Sequence, residues 1–433
     1  MRLQEQKIIL LRGAKKISQQ VLADAIYTDV SRISTVERGL ARYSDTQLEH
    51  IMRFFSIEHM PLSEFEVKVF YKMLYTMYRH IRDGRFIEAE ALFEEMAKLI
   101  NLEPCDDILP MLYRLFSVAL MIYGRNNLDA AEKELEYISG KLDMMTDEQK
   151  YHYYFNMGAL HIRRGNYEES LGFYQQALDI SGSLDILEPK DIKRLYLNIA
   201  SCYSYLEYPI RAILYLRDVS ELHRDGGASM LDLHFDNLLA LNYIRINEQD
   251  RAEKILKDCL IDARSIDSNY YCGLTLHNYG LLHKQAQDWD KAINYFKSAM
   301  EYYEKGSTWY LRAVNHTIIC FAMKKNCSKA RKLLNETKPL YNNDEVYRVI
   351  FKALDDFITI KSRISLYNQP VEYIETIALP YFEKTHDYYL AVDFYKLLES
   401  YYTDKNNKKS LVMSEAIRRI YERCFMGNER SGK

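Results

Sequence analysis

The chain has 433 residues, with 58 Lys and Arg against 61 Asp and Glu, 48% hydrophobic residues and 27% charged ones, which excludes a disordered polymer. Sixteen Gly and eight Pro are half or less of the usual supply of turn formers, so hairpins are scarce and the expected class is all-α. The longest apolar stretch, Leu109 to Tyr123, is interrupted by Arg114, so no membrane span of about 20 residues is expected.

The first 43 residues hold eight Lys and Arg against four Asp and Glu, giving +4, while the rest of the chain carries −7. They lack the apolar core of a signal peptide. Four short helical patterns fit before residue 57. The first is Leu3–Arg12, with Ile8, Ile9 and Leu11 apolar. The second is Gln19–Ala25, capped by Ser18, with Val21, Leu22 and Ala25 inward. The third opens at Thr28 or Asp29, buries Ile33 and Val36, and stops at Gly39. The fourth is Thr46–Phe55, behind Ser44 or Asp45. Two helices joined by about four residues in a basic segment describe a helix-turn-helix.

The run from Ser18 to Asp24 and the run from Ile33 to Gly39 together resemble the helix-turn-helix of the phage-repressor (Xre/Cro) family. The resemblance implies that the third helix enters the major groove. It carries a DNA role onto Gln19, Ser31, Arg32, Ser34 and Thr35, with Arg32 suited to a guanine. It also implies an ion pair of Glu37 with Arg12. Tyr27 stands where the family has the Gly of the turn, so a non-glycine residue is expected at positive φ. The competing reading is a helical cap with no DNA role.

From Phe65 the chain repeats itself. A small residue is followed four later by an aromatic or Leu: Ala89, Ala131, Ser170, Ala212, Ala252, Ala292 and Ala330, spaced 42, 39, 42, 40, 40 and 38 apart. Twelve residues before them lie close-packing sites, clearest at Gly158, Ala200 and Gly280. This is a tetratricopeptide pattern with a lengthened period. Two degenerate repeats around Ile374/Ala378 and Ser410 bring the expectation to about nine helix pairs in a right-handed superhelix with a concave groove. The expected domains are a helix-turn-helix at 1–57, a linker at 58–64, a solenoid at 65–425 and a tail at 426–433. Eight C-terminal aromatics, among them Phe351, Phe357, Phe382 and Tyr402, would be partly exposed and would supply a dimer contact.

Asn156, Asn198, Asn237, Asn278 and Asn315 recur in the first helices, two residues before the close-packing site. Asn is a poor helix former, and a carboxamide can bond both N–H and C=O of an extended peptide. The ladder is therefore read as a peptide clamp for five to eight residues, with Arg163 and Arg245, and more weakly Arg164 and Lys284, able to meet a carboxylate. The structural alternative is that each Asn bonds the next repeat.

Domain order and repeat number together resemble the peptide-pheromone receptors of Gram-positive bacteria, the Rap/Rgg/NprR/PlcR/PrgX superfamily, NprR-like members most. The resemblance implies a transcription regulator that binds an operator, is switched by a short signalling oligopeptide and assembles as a dimer or higher homo-oligomer. It also admits a response regulator as a partner, and a tetratricopeptide scaffold without DNA binding remains a third reading. No cofactor, metal or catalysis is expected: there is no phosphate loop, no HExxH and no GxSxG. The seven cysteines form no CxxC pair, which suits free thiols in the cytoplasm.

Overall fold

The computed structural model describes residues 8–9, 11–13, 15–56, 64–97, 108–220, 228–341, 345–362, 369–385, 387–403 and 405–426. Their regular structure is entirely helical. The linker expected at 58–64 lies almost wholly, and the tail at 426–433 all but its first residue, outside the described residues. Contacts divide the chain into two compact units, Met1–Arg163 and Arg164–Lys433.

The first unit opens with helical residues 8–9 and 11–13 (α1), then α2 (Gln19–Ala25), α3 (Val30–Glu37) and α4 (Asp45–Phe55). Local chemistry sets these ends. The Ser18 hydroxyl accepts from the Val21 N–H, and Ser44 with Gln47 forms a reciprocal capping box. Gly39, at φ 77°, closes α3. The core is Ile8, Leu22, Ala23, Ile26, Ile33, Val36, Tyr43, Ile51 and Phe55. Val21, expected inside, is exposed instead. In so short a helix Leu22, Ala23 and Ile26 already span the inward stripe. Tyr27 does adopt positive φ, 56°, with its ring outside the core, edge-on to His50 at 5.3 Å.

The repeats follow: α5 (Glu64–Arg82), α6 (Phe86–Ala97), α7 (Ile108–Tyr123), α8 (Leu128–Ser139) and α9 (Asp147–Arg163). The second unit holds α10 (Tyr167–Ser181), α11 (Pro189–Tyr205), α12 (Pro209–Asp218), α13 (Met230–Arg245), α14 (Gln249–Ser265), α15 (Asn269–Gln285), α16 (Trp289–Met300), α17 (Thr308–Met323), α18 (Cys327–Tyr341) and α19 (Glu345–Lys361). It ends with α20 (Gln369–Tyr373), which runs through a π segment (Ile374–Ala378) into α21 (Leu379–Lys384), then α22 (Tyr388–Tyr402) and α23 (Asn407–Met426). Taken two by two, with α20 and α21 as one, these make nine pairs among the described residues. The π segment has a covalent cause: Pro380 has no N–H for the carbonyl of Thr376.

All seven small anchor residues are fully buried. Each is preceded, five residues earlier, by a residue in the left-handed region: Gly84, Asn126, Gly165, Glu207, Asn247, Gln287 and Lys325, with φ between 50° and 80°. This residue reverses the chain between the two helices of a pair. Only two of the seven are glycine, so Gly alone does not mark the turn. Behind the turn the helices nearly touch. A Cβ on Gly280 would stand 2.5 Å from the Phe296 ring.

Five of the eight C-terminal aromatics expected to be partly exposed are packed in the core instead: Phe351, Phe357 and Phe382 are each about 1% exposed, and Tyr388 and Tyr402 are buried with them, while Tyr381, Tyr389 and Tyr401 are half-buried. The five buried rings offer no apolar surface for a dimer. Of the cysteines whose side chains are described, Cys202, Cys259, Cys272 and Cys320 are buried thiols, and burial pushes those of Cys202 and Cys320 up to about 12.

Two substitutions test this packing by urea denaturation. Gly280→Ala should lower the unfolding free energy by about 1–3 kcal/mol, as overpacking does. Gln287→Gly should leave it unchanged or raise it by on the order of 0.5 kcal/mol, by relieving the left-handed strain.

Candidate functional site

In the first unit, Arg12 and Glu37 form the expected pair, and it is bidentate: Nε to Oε1 at 2.7 Å and Nη2 to Oε2 at 2.9 Å. The carboxylate holds the guanidinium above its ordinary pKa, chiefly through the hydrogen bond. Arg12 Nη1 also donates to the Ile17 carbonyl at 2.9 Å. Gln19 joins the same network, donating to Glu37 Oε2 at 2.6 Å. One carboxylate thus ties α1, the start of α2 and the end of α3 together, which fixes the angle of the helix-turn-helix.

That network leaves the outer face of α3 open. Ser31 and Arg32 are exposed, and Arg32 Nη2 donates to the Arg42 carbonyl at 2.6 Å. Arg38 and Arg42 are exposed beside them. Ser34 and Thr35 are half-buried, and the Thr35 hydroxyl bonds back to the Ser31 carbonyl at 2.6 Å. A basic, serine-bearing helix face of this kind suits phosphates and base edges.

The asparagines of the repeats stand differently from their expected places. Measured from the left-handed turn residue, Asn156, Asn198 and Asn278 lie nine positions earlier, but Asn237 and Asn315 lie ten. One residue is about 100° around a helix, so the five do not form one row. Asn156, Asn237, Asn278 and Asn315 are buried. Asn156 Nδ2 donates to the Leu115 carbonyl of the preceding first helix at 2.7 Å. Asn278 Nδ2 donates to Asn237 Oδ1 at 3.0 Å. Asn237 Nδ2 in turn reaches Thr275 Oγ1 at 3.1 Å and the Leu233 carbonyl at 2.9 Å. Two residues before the close-packing site is thus an inter-helix position, and these amides are spent on neighbouring repeats. Asn198 is the half-buried member, and its Nδ2 has no partner; Asn315 Oδ1 is likewise buried and unpaired.

Arg245 is also committed within the fold. It donates to the Ser204 carbonyl, to Ser204 Oγ at 2.8 Å and to Glu207 Oε1 at 3.1 Å, and its guanidinium lies 4.8 Å from the centre of the Tyr389 ring. Arg163 is exposed, 5.8 Å from the Tyr123 ring. Lys284 is nearly buried and pairs with Asp393. No local signal could announce Asp393 and Tyr389 as partners, since they lie 109 residues or more from Lys284 and Arg245 in the chain. Among the described residues no three His, Cys, Asp or Glu side chains converge as a metal site, and no helix is long and apolar enough to cross a membrane.

The tetratricopeptide-repeat family profile matches residues 151–183, which cover α9 and α10. The transcriptional activator NprA of Geobacillus stearothermophilus is 24% identical over 406 residues, covering 87% of this chain and 97% of that protein. The chain is similar to the NprR/Rap-like tetratricopeptide-repeat regulators. The fold agrees. A Rap protein complexed with competence and sporulation factor matches with TM-score 0.71 and 16% identity, over 83% of this chain and 99% of that one. NprR in complex with its cognate peptide NprX matches with TM-score 0.63 and 17% identity, over 81% and 99%.

Two histidines among these helices give a pH test. Burial holds both His152 and His277 down at about 3, so they stay neutral in the folded chain. The unfolded chain takes up their protons below about 6.5, hence stability falls as pH falls from 6.5 toward 3. Between pH 7 and 5 each should remove about 1–2 kcal/mol. His152 sits among Tyr78, Phe116 and Tyr151 with Nε2 unpaired. Urea midpoints of His152→Phe should therefore match wild type at pH 7 and exceed it at pH 5.

Proposed function

We propose that this chain is a cytoplasmic, non-enzymatic transcription regulator. In this reading it binds operator DNA through residues 1–57 and is switched by a short oligopeptide held by the repeats of 65–425, with 58–64 as linker and 426–433 as tail. The observation that carries the DNA half is the exposed face of α3, with Ser31 and Arg32, held at a set angle by the Arg12–Glu37–Gln19 network. Gln19 then serves as a positioning residue, Arg32 as the reader of a base edge, and Ser34 and Thr35 as flanking contacts. The family supports the reading: a relative matched over nearly its whole length is a transcriptional activator, and a structural neighbour holds a cognate peptide.

Within the repeats the peptide role narrows. Asn198 keeps an unpartnered amide nitrogen on a half-buried side chain, and a buried unsatisfied donor asks for an acceptor. It is the group most suited to a peptide carbonyl. A homo-oligomer belongs to the proposal because one helix-turn-helix usually reads a half-site and acts in pairs.

Duplexes selected from a random pool on the wild-type protein supply an operator for fluorescence anisotropy. Arg32→Ala should weaken binding about 5- to 150-fold, the worth of one bidentate base contact, with circular dichroism unchanged. Unaltered affinity would remove α3 as the reading helix. For the groove, a library of five- to eight-residue peptides screened by thermal shift should yield ligands that stabilise wild type more than Asn198→Ala and alter operator affinity. Equal shifts in both proteins would remove Asn198 from the site.

A further inference from the structure

A repeat stack ordinarily makes contacts only between neighbouring repeats. The second unit departs from this. Its last pair folds back against helices far upstream: α23 touches α12, and α22 reaches α13 and α15. Two polar contacts join the strands of this closure. Lys284 of α15 pairs with Asp393 of α22, the two side chains being 10% and 18% exposed. The Tyr389 ring, one turn earlier on α22, lies under the Arg245 guanidinium of α13.

Both cations are held for this purpose from the other side. Arg245 is aimed by Ser204 and Glu207 of the preceding pair. Lys284 stands 3.4 Å from His316 Nδ1 on α17. Burial drives His316 toward its neutral form, with Lys284 adding to the effect. The imidazole is thus an acceptor for the ammonium rather than a competing charge.

We propose that Lys284–Asp393 and Arg245–Tyr389 form an intramolecular clasp that locks the second unit closed, with α22 occupying the two cations that line its inner face. Asp393 and Tyr389 are four residues apart, hence on one face of α22, and their partners lie on two different first helices. The clasp therefore fastens α22 to two pairs at once, and losing either contact frees only part of it. Any ligand of that face carrying a carboxylate meets cations already engaged. The inference concerns closure of the unit and stands without the peptide reading above.

The test is a distance across the closure. Leu214 on α12 and Leu411 on α23 are both exposed. Leu214→Cys and Leu411→Cys carry nitroxide labels in the full-length chain, whose other reactive cysteines are replaced by Ser, and the distance is read by pulsed electron resonance. The closed unit should give one short, narrow distribution. Asp393→Asn, which keeps the side-chain shape, and Lys284→Met should each add a longer population, as should Tyr389→Leu. The exchanged pair Lys284→Glu with Asp393→Lys should return the distribution to the short form. If the short distribution survives in all three single variants, or if the exchanged pair is as open as they are, the clasp is overturned. A thermal melt of each labelled protein confirms folding, and Asp393→Asn alone decides the question if the others fail to fold.

Discussion

The seven anchored pairs depend on a backbone constraint: one residue in each turns left-handed so that two helices can fold back close enough to touch. Five positions later a small side chain must stand at the contact, and four beyond that a large one must fill what the small one leaves open. Ala292 and Phe296 do this opposite Gly280, where even a methyl group would collide. The left-handed residue costs about 1–2 kcal/mol when it is not glycine, and five of these seven turns carry that cost. Packing of fully buried alanines and aromatics against a facing helix repays it.

This constraint also explains what could and could not be read from the amino-acid order. The anchors were legible because each must be small, whatever surrounds it, and the Arg12–Glu37 pair because a repressor-like motif demands it. Most of the turns were not: Gly165 marks one plainly, but Glu207, Gln287 and Lys325 do not look like turn residues. Their omission had a consequence. Without the turn as a ruler, Asn237 and Asn315 passed for members of a row from which they are rotated by about 100°. Val21 misled for a different reason: a seven-residue helix is too short for periodicity to choose its inner face. The clasp of α22 left no trace at all, since charges 109 residues apart carry no pattern.

The polar groups sort by where their partners come from. Asn156, Asn237 and Asn278 bond within the stack and fix how neighbouring first helices sit. Arg245 and Lys284 bond across it. Ser31 and Arg32 face outward from α3. Burial sets the cost of disturbing each class: an amide stripped of its partner inside the stack leaves an unsatisfied group, whereas an exposed guanidinium on α3 is carried at little cost to folding and answers only to what binds it.

The turn-to-anchor separation is five residues in all seven anchored pairs, yet anchors are spaced anywhere from 38 to 42 apart. That variation falls between the anchor of one pair and the turn of the next, in the second helix as well as in the connection after it, since α12 has 10 residues and α14 has 17. Length can therefore be gained or lost there without disturbing the contact inside any pair. Each added residue alters how far the following pair is displaced and swung, so curvature is adjustable joint by joint. Chains sharing this architecture can take different curvatures with the same internal joinery.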